Sequence, residues 1–230
     1  MPRAALVALS LSLGLWMVSV SPAEAEDACH IPAPARAFMD RALARLDQVT
    51  GSPFAFAAWN TEGRVTKEGI GVRTFPEGVD PEKVVQKVLD VDNYEANLDH
   101  VTVSRAVPDP KYRMPSAVRF YELIDLSALG DIQFEAVLQD AGTCKGYRVV
   151  VWYMLPEATA ALSRDVAIRN AYNDGAWLAS PTSIGYALSS APVDEDLNFV
   201  QRQALTNGAD AMAKSLVQNN IQLMHAWTKK

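Results

Sequence analysis

The residues with chemistry to offer are scattered along this sequence, and their spacing limits what they can do. His30, His100 and His225 fall on three different segments with no ligand spacing between them, so no metal site is expected. No H-E-x-x-H, C-x-x-C, G-x-S-x-G or phosphate-binding loop occurs. Gly69-Ile70-Gly71 supplies two glycines of a dinucleotide fingerprint but not the third, and it lies inside an extended stretch. It reads better as a bulge or twist site in a strand. No cofactor is implied.

The best-placed polar side chains lie inside apolar stretches: Arg119, Tyr121, Glu122 and Asp125 in one, Arg148 and Trp152 in another, Arg169 and Tyr172 in a third. On a strand, residues of one parity share a face, so Arg119, Tyr121 and Asp125 stand together, opposite Glu122. Most of these side chains are expected on a solvated face. A charged group turned inward needs a partner or a ligand group, because an unpaired buried charge is very costly. An inward Arg119 or Tyr121 would suit a ligand hydroxyl or carboxylate, and both are taken as candidate ligand contacts. Parity alone leaves open which face is concave.

Two cysteines, Cys29 and Cys144, bear on compartment. The chain opens Met1-Pro2-Arg3, continues with an apolar run over residues 4–20 and reaches Ala23-Glu24-Ala25, the layout of a cleavable secretory signal ending near Ala25. Ser and Gly in the run and its short length argue against a membrane anchor. Glu26-Asp27-Ala28 before Cys29 does not resemble a lipid-attachment site. The expectation is an exported chain, periplasmic or secreted, in which Cys29 and Cys144 form a disulfide; a reactive thiol at Cys144 is the alternative. Removing residues 1–25 takes away Arg3 and Glu24, so the net charge stays at -6. An acidic chain without a basic patch is a poor partner for nucleic acid. The mature length suits one domain with a substantial core, and a monomer is expected.

The elements that must position these groups follow from periodicity and punctuation. Phe38, Ala42, Leu46 and Val49 give an amphipathic helix over residues 38–49, and Gly51-Ser52-Pro53 ends it. Residues 54–59 and 64–75 read as strands around a turn. Asp80-Pro81 starts a helix over residues 81–89, with Asp80 as cap and Pro81 in the first helical position. A short helical turn over residues 91–98 comes next. Extended segments then follow at 101–107, 117–126, 132–139, 147–155, 166–172 and 183–191, bounded by Pro, Gly, Asp or Asn, as in an antiparallel meander. The alternation of Ile132, Phe134, Ala136 and Leu138 implies one wet face and one covered face. The cover is a helix from Asp194-Glu195-Asp196 to about Trp227, roughly 45 Å long for roughly 30 residues, with the acidic triplet at its start as capping.

Strand, paired short helices, antiparallel strands and a long final helix, in that order, resemble the helix-grip fold of START-related lipid-binding domains and polyketide cyclases. The residues that carry the resemblance are residues 79–90 followed by residues 92–101, and later residues 172–177 and 185–192. It spans about residues 64–228. The division that follows is 1–25 signal peptide, 26–62 N-terminal extension and 63–230 START-like domain. The resemblance implies an α+β fold, a curved antiparallel sheet around a long C-terminal helix with an internal hydrophobic cavity. Phe134, Leu138, Trp152 and Met154 on strands, and Leu205, Ala209, Met212 and Leu216 along one stripe of the helix with Leu223, are the candidate ligand-binding residues. Gly208, costing about 1 kcal/mol relative to Ala in mid-helix, marks either a close approach to a ligand or packing on a strand. The function expected is a carrier of a sterol, hopanoid or acyl lipid, with transient membrane contact and no catalysis. About 400 Å² of buried ligand surface would contribute on the order of 10 kcal/mol before association costs. The alternative is a cyclase- or hydratase-type enzyme using a cavity Asp, Glu or Tyr as general acid or base.

Overall fold

The computed structural model describes residues 29–127 and 129–230; the expected signal segment lies outside them. Helix α1, Ala33–Leu43, opens on Pro32 with a second proline in its first turn, and it buries Ala35, Phe38, Met39, Ala42 and Leu43. It starts earlier than the periodicity of Phe38 to Val49 suggests, because a proline is compatible with the first turn of a helix. It also ends earlier, and Leu46–Gln48 form a separate 3₁₀ turn.

Strands β1, Phe54–Trp59, and β2, Glu68–Thr74, follow. Residues 64–67, expected in the second strand, are instead loop. Helix α2, Pro81–Leu89, has the expected cap: Asp80 accepts hydrogen bonds from the amides of Glu82 and Lys83 at 3.1 and 3.2 Å. Then come β3, Val101–Ala106, β4, Ala117–Asp125, β5, Asp131–Cys144, and β6, Tyr147–Met154. A short α3, Pro156–Ala160, leads to β7, Ile168–Ser180, β8, Ser183–Pro192, and α4, Phe199–Trp227.

The strands form one curved sheet in the order β1-β2-β8-β7-β6-β5-β4-β3. Every pairing is antiparallel except a short parallel contact of β5 with β7 at Ile132 and Ile168, where β6 has ended. The boundary expected at residues 62 and 63 falls between β1 and β2, which pair over their full length.

Alternation divides the sheet into two cores. Val118, Phe120, Phe134, Ala136, Leu138, Val150, Trp152 and Trp177 face the concave side with α2 and the second half of α4. Ile70, Val72, Val137, Val149, Val151, Leu178 and Ala187 face the other side, under α1. The expectation of one wet face is therefore corrected for the part of the sheet that α1 covers. The runs Val149-Val150-Val151 and Ala176-Trp177-Leu178-Ala179 are buried on both parities, the pattern of a strand covered on both sides.

Two devices fasten α1 to this outer face. Cys29 and Cys144 form a disulfide. Glu68, fully buried, accepts two hydrogen bonds from Arg41 at 2.7 Å and one each from Trp59 Nε1, Thr61 and Ser189. Burial alone would raise the Glu68 pKa, but the hydrogen bonds from Arg41, Thr61 and Trp59 outweigh it and hold the carboxyl below its ordinary value.

Helix α4 is about 43 Å long at 1.5 Å per residue. Its cap is Asn198, in a reciprocal capping box with Gln201. The acidic triplet has a different role from the one expected. Asp194–Asp196 form a separate 3₁₀ turn, in which Asp196 binds Arg169 at 2.8 and 3.0 Å and Arg164 at 2.9 Å, and Asp194 binds Arg202. Gly69 and Gly71 are not a bulge, since the register of β2 is unbroken on both sides. They face α4 and β1: a Cβ on Gly71 would lie 2.5 Å from Val217 Cγ1, and one on Gly69 2.6 Å from the Phe56 ring. Bare backbone here lets the helix lie directly on the strand. No such approach occurs at Gly208, where nothing lies within 4 Å of the would-be Cβ.

Candidate ligand cavity

Between the concave face and the first half of α4 lies a cavity of about 130 Å³. Sites for drug-sized ligands typically span about 300–1,000 Å³, so this cavity is a small one.

Seven of the expected residues meet here. Phe134 and Leu138 from β5 and Trp152 from β6 form part of the wall, and Leu205, Ala209, Met212 and Leu216 line it from α4. Met154, the last residue of β6, packs in the concave core beside the cavity without lining it. Leu223 shares the helical face of the stripe but lies beyond the cavity and is 38% exposed.

Arg119 and Tyr121 are on the opposite face, which corrects the expectation of ligand contact. Val118, Phe120, Glu122 and Ile124 take the inward phase of β4, so the odd-numbered residues point out. Arg119 binds Glu135 at 2.9 and 2.6 Å and Asp109 at 3.2 Å. The Tyr121 hydroxyl donates to Gln133, and the Arg105 guanidinium lies over its ring at 5.0 Å.

The interior polar residues are ones that motif reasoning did not select. Glu122, half-buried, borders the cavity, and no side chain among the described residues forms a hydrogen bond or ion pair with its carboxyl. Burial pushes its pKa from 4.5 up to about 8, so the carboxyl is largely protonated at neutral pH. Tyr186 faces it from β8, packed against Trp152 at 5.1 Å and Trp177 at 4.5 Å. Burial, and then the nearby Glu122, hold the Tyr186 hydroxyl well above its usual pKa. Tyr94 is likewise raised by burial, and its hydroxyl donates to the Val88 carbonyl. The signal for Glu122 was in the sequence: an acid in the apolar phase of Val118, Phe120 and Ile124.

Trp152 owes its position to a glycine. A Cβ on Gly175 would lie 1.9 Å from the indole, which fills that space and donates from Nε1 to Asn173 at 2.9 Å. At the rim, Lys67 from the β1–β2 loop pairs with Asp210 on α4. Asp99 and His100 flank the other side, with the Asp99 amide donating to Asn220 on α4 at 3.0 Å. Among the described residues, no group of three His, Cys, Asp or Glu side chains is placed to hold a metal ion.

The fold is that of solved START domains. The STAR-related lipid transfer protein of Xanthomonas axonopodis superposes with a TM-score of 0.60 at 12% identity, covering 78% of this chain and 96% of that one. Human StAR-related lipid transfer protein 5 gives 0.57 at 10% identity over 85% and 96%, and the lipid transfer domain of human StarD13 gives 0.55 at 12% over 85% and 98%. No family model matches the sequence, and no curated protein matches it. At these identities the likeness establishes the fold, a START-like helix grip.

Proposed function

We propose that this chain is an exported carrier that holds a hydrophobic small molecule between its sheet and α4. The observation that carries this reading is the apolar cavity itself, walled by Phe134, Leu138, Trp152, Leu205 and Met212 where a compact core would have closed. Close packing is the rule inside proteins, and empty internal space is costly to keep. The likeness of the fold to lipid-transfer START domains supports this reading. A disulfide between Cys29 and Cys144 supports an oxidising compartment, periplasmic or extracellular. Exposed Phe199 and Val200 at the start of α4 favour transient contact with a membrane during loading.

Native mass spectrometry of protein purified from an exporting host tests this reading. The expected result is a polypeptide beginning near Glu26 with a hydrophobic molecule bound non-covalently. A cavity that arrives empty and takes up no uncharged apolar probe would refute the carrier.

One observation favours a second reading. Glu122 is a largely protonated acid beside Tyr186 in a mostly apolar pocket, the equipment of a general acid acting on a hydrophobic substrate. Turnover of a co-purified ligand, lost in Glu122→Gln, would support catalysis over carriage.

A further inference from the structure

The cavity wall holds two polar side chains without a protein partner among the described residues. Glu122 is one. The other is Asn170, 3% exposed, whose Nδ2 and Oδ1 both lack a partner among the described residues. Buried polar groups in folded proteins are nearly always paired, so the Asn170 amide calls for a reason, and half-buried Glu122 is the second polar group on the same wall.

Strand register brings them together. Glu122 pairs with Phe134 across β4 and β5, and the parallel register of Ile132 with Ile168 and Gln133 with Arg169, continued by one residue, brings Asn170 toward Phe134. Glu122 and Asn170 therefore flank Phe134 on the same face, two strand spacings or about 10 Å apart at Cα. Beyond Asn170 the next strand presents Pro192, which has no amide to offer. The basic groups in the lining, Lys67 and His100, stand at the rim and already face Asp210 and Asp99.

We infer that Glu122 and Asn170 form a two-point polar subsite for an uncharged, oxygen-bearing hydrophobic ligand, and that carboxylate-headed lipids are rejected. The inference rests on the carrier reading and narrows it. The Glu122 carboxyl, kept protonated by burial, donates to a ligand hydroxyl or carbonyl, while the Asn170 amide both donates and accepts. An anionic head group would meet an acid and an amide with no free cation, leaving a buried charge unpaired.

Binding of four ten-carbon probes, read from the emission of Trp152 and Trp177 at pH 7, tests this: decan-1-ol, decane-1,5-diol, decane-1,10-diol and decanoate. Decanoate should bind at least tenfold more weakly than decan-1-ol, and at least one diol at least threefold more tightly. Glu122→Leu and Asn170→Leu should each remove the diol's advantage while the protein unfolds at an equal or higher temperature, since each replaces an unpaired polar group with an apolar one. Decanoate binding as tightly as decan-1-ol, or both variants keeping the diol's affinity within twofold, overturns the subsite and leaves the carrier reading standing. Failure of all four probes to bind takes down both.

Discussion

Trp152 stands in the space that a side chain at residue 175 would need. The would-be Cβ of Gly175 lies 1.9, 2.3 and 2.4 Å from three atoms of the indole, so the strand β7 is bare where the ring crosses it. The cavity wall thus depends on a residue with no side chain.

Gly175→Ala should therefore displace the indole and break its bond to Asn173. Overpacking of a well-filled site costs typically about 1–3 kcal/mol. Chemical denaturation should show a loss in that range, together with altered tryptophan emission. An unchanged midpoint would mean that Trp152 is not held against Gly175.

Glu122 should impose a pH slope on stability. Its pKa is about 8 in the folded chain against an ordinary 4.5, so the folded state binds the proton more tightly than the unfolded state. The advantage of the protonated form is fully present below about pH 4.5 and is lost as pH rises through about 8. The full span is up to about 5 kcal/mol. Tyr94 and Tyr186, which also face this carboxyl, stay neutral across that range. Urea unfolding from pH 4.5 to 9 should show Glu122→Gln losing less stability than the parent as pH rises; parallel curves would contradict the shift.

Met212 tests the helical side of the cavity. In a packed core Met212→Trp would overpack and destabilise by roughly 1–3 kcal/mol. Beside open space the larger ring fills the cavity instead. The variant should keep its melting temperature without ligand and lose an uncharged fluorescent probe. Destabilisation with unchanged probe affinity would place Met212 in ordinary core.

The disulfide acts on the other face of the sheet. It closes a loop with a sequence separation of 115 residues, and removal of a native disulfide typically costs about 2–5 kcal/mol. The paired change of Cys29 and Cys144 to Ser should lower stability by that amount and leave probe affinity within twofold, because the cavity lies beyond the sheet. A large loss of affinity would tie α1 to the ligand site.

Much of this architecture was legible because its cues are local. Asp80-Pro81 fixes a helix start by itself, and the alternation of Ile132, Phe134, Ala136 and Leu138 fixes which residues of β5 share a face. The stripe of Leu205, Ala209, Met212 and Leu216 follows from helical periodicity alone. Hidden from such cues was everything that depends on which face curls inward. Arg119 and Tyr121 went to the outside because the phase of Phe120 decided the strand, and Asn170 enters the cavity because a register shift between Asn170 and Tyr172 offsets the parity of β7. The second core under α1 was hidden for the same reason: the positions that Phe38 and Met39 cover belong to strands far away in sequence.

The glycines of β2 divide α4 into two regimes. From Val217 onward the helix is seated on bare backbone and buries Val217, Asn220, Ile221, Met224 and Trp227, whereas residues 199–216 contribute no buried side chain. Backbone hydrogen bonds without tertiary burial open at low free energy, while those of a packed element open only with the whole domain. Amide hydrogen exchange along this one unbroken helix should accordingly be graded, fast at its start and close to the global limit at its end, and the fast half is the half that roofs the cavity.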